Sequence, residues 1–179
     1  CFDTSYDLSL DESCIPYLKI LIDVAHNTHV SYVVACALHA NEEQVVENLN
    51  QLIPYAEEQG VILLIKTSGI YADTSRLRRL LDEFACDELA VLWDVHHPYR
   101  DFGESADATI KNLGTYVKHV HLRDSDNKDT YNLIGEGNMP VADMIRALSS
   151  INYDGFVSLE WKPEWMEDLQ DKEIIFPHF

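Results

Sequence analysis

Five short apolar runs recur along the chain, at residues 31–37 (SYVVACA), 61–66 (VILLIK), 89–94 (LAVLWD), 117–122 (VKHVHL) and 155–161 (GFVSLEW). Their starts lie 30, 28, 28 and 38 residues apart. That spacing suits a strand followed by a helix, repeated. The runs are nearly continuous in hydrophobicity, which marks parallel strands covered on both faces. A further strand is expected at residues 2–5.

Between the runs, apolar residues recur at helical period. Leu18, Leu21, Ile22 and Ala25 form one stripe, with Ser13 as the expected N-cap. Val45, Val46, Leu49, Leu52, Ile53 and Ala56 form a second, which ends at Gly60, a residue suited to a left-handed helix end. Pro54 removes a backbone donor inside this helix and predicts a kink. Leu77, Leu80, Leu81 and Phe84 follow Asp73 or Thr74 as cap, and Val141, Met144, Ile145 and Leu148 make the last stripe.

Strand and helix alternate without a linker, which predicts one domain over residues 1–179. An open doubly wound sheet would alternate in the same way, but it should carry a Gly-rich phosphate turn after a strand, and none is present. The pattern therefore favours an α/β fold of the (β/α)8 TIM-barrel type. A complete barrel typically needs about 250 residues, so this one is expected to be incomplete.

Composition narrows the partners. Thirteen basic residues against 31 acidic ones give a net charge of −18, spread along the chain. Such a surface repels polyanions and argues against nucleic acid as a partner. No apolar stretch approaches membrane-spanning length, so no membrane association is expected. The four cysteines are widely spaced and form no CxxC pair, which fits a reducing, cytoplasmic setting, with Cys36 and Cys86 as small core fillers. The chain begins at Cys1 rather than Met, as a processed or partial chain would.

In parallel α/β folds, reactive groups collect at the C-terminal ends of strands. Four consecutive runs end in ionisable residues: Lys66, Asp94 (with His97 just beyond), His121 and Glu160. Singly, each has a structural explanation as a helix cap, a rim group or a satisfied core histidine. Jointly, hard oxygen and imidazole donors on successive strands suit Mn, Mg, Co or Zn. If Asp94, His121 and Glu160 face inward, then Leu92, His119 and Ser158 share that face, while Val120, Val157 and Leu159 point outward beneath helices.

These residues carry a resemblance. Asp94-Val95-His96-His97 resembles the DxxH motif of the sugar phosphate isomerase/epimerase family, within the xylose isomerase-like TIM-barrel superfamily. His119-Val120-His121-Leu122-Arg123-Asp124 resembles its HvHxKD motif. Gly135-Glu136-Gly137, Tyr153-Asp154-Gly155 and Ser158-Leu159-Glu160 resemble its ending, so the likeness runs over roughly residues 10–165. The resemblance implies a metal-assisted proton transfer next to a carbonyl on a small sugar or polyol. It also implies Asp94, His121 and Glu160 as metal ligands, Glu160 as acid/base, His97 as a substrate contact, and Arg123 either meeting a charged substrate group or pairing with Asp124. The likeness to AP endonucleases, a related group, is opposed by the acidic charge.

One position departs from the family. Where its members place a metal-ligating Glu after the fifth strand, this chain has Lys66. A unit charge about 5 Å from a divalent ion, at an effective dielectric near 20, is repelled by roughly 6–7 kcal/mol. Weak or absent metal is therefore expected, with Lys66 paired to Glu160 or Asp94, or serving as the opposing acid/base. The alternative function is a catalytically degenerate barrel acting as a binding or regulatory module. If residues 61–66 are the fifth strand, two leading βα units are missing. A homo-oligomer or another segment is then expected to cover the open sheet edges.

Overall fold

A computed structural model of the chain describes residues 1–161 and 172–179. The end of the family resemblance, residues 162–165, lies outside them. Five parallel strands form one sheet in sequential order: β1 (Tyr32–Ala35), β2 (Ile62–Lys66), β3 (Leu89–Asp94), β4 (Val117–Leu122) and β5 (Val157–Leu159). This is a partial TIM barrel, five strands of a half-barrel. The expected strand at residues 2–5 is reduced to an extended segment, joined to the β1 edge by isolated bridges Phe2↔Val33 and Asp7↔Cys36. Thr4 and Tyr6 explain why it goes no further. The Thr4 hydroxyl donates to Val34 O and accepts from Tyr6 N, so local side-chain bonds interrupt the ladder.

The two faces of the sheet bury different things. Val33, Ala35, Leu63, Ile65, Val91, Trp93, Val120 and Leu122 face outward and merge with the helical stripes into the main core. Val34, Leu64, Ala90 and Leu92 form a separate small cluster on the inner face. Pairing is regular from β1 to β3, but the register shifts by one between β3 and β4. Val91 lies opposite Val117, yet Leu92 lies opposite His119 and Asp94 opposite His121. Lys118 is the extra residue, and it is exposed. Without that shift Asp94 would stand beside Val120. The slip of one position therefore decides which face of β4 carries its histidines.

Among the described helices, the first three and the sixth pack the predicted stripes, and the other three were not read from the sequence. The helices are α1 (Ile15–Asn27), α2 (Glu42–Gln59), α3 (Thr74–Phe84), α4 (His96–Phe102), α5 (Ala106–Leu113), α6 (Val141–Ser150) and α7 (Lys172–Ile175). Gly60 closes α2 at φ +65°, Pro54 sits inside that helix, and Asp73 caps α3 by accepting from Ser75 N. Two details differ from expectation. Ser13 does not cap α1; Asp11 accepts from Ser13 N and caps a short 3-10 turn that leads into α1 through Cys14. Ile145 is 44% exposed, because Met144, Ala147 and Leu148 already fill the face of α6 that meets the core.

Gly69 holds the loop after β2 against the loop after β1. Its φ is +58°, and a Cβ there would lie 2.2 Å from Ala37 O, a backbone atom that cannot swing away. Gly103 at φ +69° has open space around it. Gly69→Ala is therefore expected to cost about 3 kcal/mol or more, and Gly103→Ala about 1–2 kcal/mol, the left-handed penalty alone. Urea denaturation of both variants checks this, and equal losses would mean that the close approach at Gly69 does not constrain the fold.

Candidate active site

The register described above brings the ionisable strand ends together. Lys66 ends β2, Asp94 ends β3, His121 lies next to last in β4, and Glu160 follows β5, its amide donating to Leu122 O. The Thr67 side chain brackets β2 to β3: its hydroxyl donates to Asp94 O and accepts from Asp94 N, at 3.0 and 2.9 Å. Asp94 is fully buried, with Oδ1 accepting from His96 N. The Lys66 ammonium lies 2.9 Å from Asp94 Oδ2 and 3.0 Å from Glu160 Oε1. Ligand atoms of Asp94, His121 and Glu160 all lie within 4.8 Å of one another. On the same face, His119 Nε2 and Ser158 Oγ are hydrogen-bonded at 2.8 Å.

Burial and charge act against each other here. Burial alone would push the Lys66 pKa down, but the Asp94 and Glu160 carboxylates outweigh it and hold the ammonium protonated, with its pKa well above normal. Burial likewise opposes ionisation of Asp94, and the charge of Lys66, then of His97, overcomes that and keeps its pKa low. For His121, burial and then the Lys66 charge lower the pKa, only partly offset by Asp94, which favours a neutral imidazole.

The neighbouring residues sort into two groups. His97 belongs to the site: its Nδ1 is 2.7 Å from Asp101 Oδ2 and its Nε2 is 3.7 Å from Asp94 Oδ2. Asp101, at i+4 on the same helix, was not singled out from the sequence. The helical spacing of an acidic residue from His97 was the available signal. Arg123 instead packs 3.9 Å over the Tyr131 ring and donates to Lys128 O and His96 Nε2. It does not pair with Asp124. That carboxylate is taken by four backbone amides, those of Ser125, Gly135, Gly137 and Met139, and the guanidinium finds its acceptors elsewhere.

A cavity of about 510 Å³ opens over the cluster, lined by Lys66 and His97 and also by Thr4, Cys36, Ser68 and Asp101. Cys36, on the wall, is a buried thiol whose pKa burial raises to about 11, which disfavours the thiolate. Asp94, His121 and Glu160 form a buried group that could hold a metal ion, and the buried His121 Nδ1 has no hydrogen-bond partner among the described residues. The donor types fit a divalent ion. The space does not, because the Lys66 ammonium sits against two of the three donors.

The sequence profile of a family described as "Xylose isomerase-like TIM barrel" matches residues 7–175. Fructoselysine 3-epimerase of Shigella flexneri is 25% identical over 176 residues, covering 90% of this chain and 63% of that protein. D-psicose 3-epimerase of Enterocloster bolteae is 29% identical over 122 residues, covering 65% of this chain and 39% of that protein. The chain thus spans less than two-thirds of the length of these curated relatives. Among solved structures, an L-ribulose 3-epimerase superposes with a TM-score of 0.83 at 15% identity, covering 98% of this chain and 70% of that one. A D-allulose 3-epimerase from Methylomonas sp., in complex with D-allulose, gives 0.73 at 19% identity, with 88% and 62% covered.

His96 makes the site region sensitive to acid. A guanidinium only donates, so His96 Nε2 must accept from Arg123 and the ring must be neutral. Burial, then the Arg123 charge, lowers its pKa to about 4. A base whose folded pKa lies below its unfolded value loses stability as pH falls, here from about 6.5 down to 4, because the unfolded chain takes the proton first. The expected slope is roughly 1 kcal/mol per pH unit between pH 6.5 and 5, where ordinary carboxylates remain ionised. Urea midpoints at pH 7 and 5 test this: burial also lowers the pKa values of His119 and His121, so His96→Asn should reduce the slope by about that amount without abolishing it, and an unchanged slope would show that His96 does not contribute.

Proposed function

The chain belongs to the xylose isomerase-like TIM-barrel family, and from that premise we propose that it is a sugar or sugar-phosphate isomerase or epimerase, moving a proton next to a carbonyl. The observation that carries the reading is the convergence of buried Asp94, His121 and Glu160 beside Lys66, which together with His97 lines one cavity. The relatives named as sugar epimerases support the substrate class. Because the space does not suit a divalent ion beside Lys66, the chemistry is derived from the side chains alone.

A carbonyl oxygen within reach of the Lys66 ammonium would be polarised, and the enediolate formed on proton loss would be stabilised by a fixed positive charge out of water. Glu160, next to Lys66, would take the proton from the adjacent carbon. Asp94 keeps the ammonium charged and oriented. His97, held by Asp101, orients a substrate hydroxyl. Return of the proton by Glu160 to the neighbouring carbon gives isomerisation, and delivery of a proton from cavity solvent to the opposite face of the same carbon gives epimerisation.

A second reading, a degenerate barrel that binds sugars without turning them over, is favoured by the same ion pairs. Glu160 is already ion-paired with Lys66, so a substrate proton would have to compete with the ammonium for it. Solvent exchange separates the two. Incubation of the chain with a panel of ketoses and aldoses in D2O, followed by NMR, should show deuterium entering next to the carbonyl of at least one sugar. Glu160→Gln should slow that entry by about 10²–10⁴-fold. Sugar binding with no exchange for any member of the panel would establish the second reading.

A further inference from the structure

We propose that the Lys66 ammonium is the resident cation of this site, and that Asp94, His121 and Glu160 bind no divalent ion while it is in place. The inference deepens the proposed function by naming its electrophile, but its geometry stands without that function.

Three observations carry it. The first is position. The ammonium contacts Asp94 Oδ2 at 2.9 Å and Glu160 Oε1 at 3.0 Å, and these residues supply two of the three donors that lie within 4.8 Å of one another. Divalent ions sit about 2.0–2.6 Å from carboxylate oxygens, so an ion bound to both carboxylates would press on the nitrogen. The second is charge. Two carboxylates and one ammonium leave a single negative charge beside a neutral His121, whereas adding a divalent ion would leave a net positive charge in a dry site.

The third is attachment. Lys66 is the last residue of β2, its side chain is only 11% exposed, and the next residue is tied to β3 through both its amide and its hydroxyl. The ammonium therefore cannot move to the rim without breaking both ion pairs. The ammonium donates to Glu160 Oε1 and is ion-paired with Asp94 Oδ2, and it also lines the cavity, where a remaining donor hydrogen would meet a carbonyl or enediolate oxygen of a polyhydroxylated ligand.

The test is metal titration with a readout that needs no substrate. After treatment with chelator, the parent chain is titrated calorimetrically with Mn²⁺ and Zn²⁺, and its thermal unfolding is recorded with and without each ion. No binding tighter than about 1 mM is expected, and no shift in the unfolding midpoint. Lys66→Met leaves two buried carboxylates facing each other, so it should unfold earlier in chelator and recover when either ion is added. Lys66→Glu should bind at least about tenfold tighter than the parent. Adding His121→Ala to Lys66→Glu should abolish that gain, placing the ion at the triad rather than on the acidic surface.

Micromolar binding of either ion by the parent, lost in Glu160→Gln but kept in His119→Ala, which disables the neighbouring Cys1/His119/His121 group, would overturn the proposal. So would variants at Lys66 that gain no affinity. If a variant fails to fold, the parent titration decides alone. Metal binding by the parent would leave the proton-transfer reading intact, because only the electrophile changes, whereas absence of deuterium exchange would leave Lys66 as resident cation intact.

Discussion

Everything at this site hangs on the one-residue slip between β3 and β4. Parallel strands present partners in register to the same face, so the side chains that meet are set by backbone pairing before any side chain makes a contact. Starting from Val91 opposite Val117, regular pairing would turn Val120 toward Asp94 and bury His119 and His121 among the helices. The extra residue Lys118 reverses that parity. It directs two imidazoles to the inner face and returns Val120 and Leu122 to the outer core. The cost is one interrupted rung of the ladder. The gain is that Asp94, His121 and Ser158 lie side by side, with Glu160 one step beyond.

Once together, the groups must solve a solvation problem. Two carboxylates out of water repel each other and would be driven toward protonation. The Lys66 ammonium removes that drive, at the expense of its own desolvation, and the three form an arrangement that none would adopt alone. Removing one partner of such a buried set typically costs about 3–5 kcal/mol, more than the net stability the set contributes. The cluster is therefore better understood as a device for keeping charge fixed at a chosen place than as a source of stability.

Much of this was legible in the sequence, for identifiable reasons. Apolar runs of even spacing gave the strand order because each run had to be covered on both faces. Period-2 alternation, anchored on Asp94, His121 and Glu160, assigned the inner face correctly. Lys66 stood out because it broke a motif, and its expected partners Asp94 and Glu160 are the ones found. What escaped has a common cause. The register slip, the competing hydrogen bonds of Thr4, and the capture of Asp124 by four amides all depend on backbone groups, which are chemically the same in every residue and leave no trace in the one-letter pattern. Arg123 illustrates the point: Asp124 was the obvious partner by charge and adjacency, yet the amides of Gly135, Gly137 and Met139 had already claimed it.

That same carboxylate divides the segment between β4 and α6 into two parts with different freedoms. From Gly135 to Met139 the backbone is pinned to a single buried side chain, and a Cβ at Gly137 would strike it at 2.3 Å. The tip at residues 126–129 is exposed and linked by hydrogen bonds to Thr130, Asn132, Asn138 and Arg123, without a buried carboxylate to fix its length. A lengthened or shortened tip would therefore leave α6 and β5 where they are, and Glu160 with them. Asp124 acts as a splice point: it lets the outer wall of the molecule be rewritten by insertion or deletion while the reactive floor stays the same.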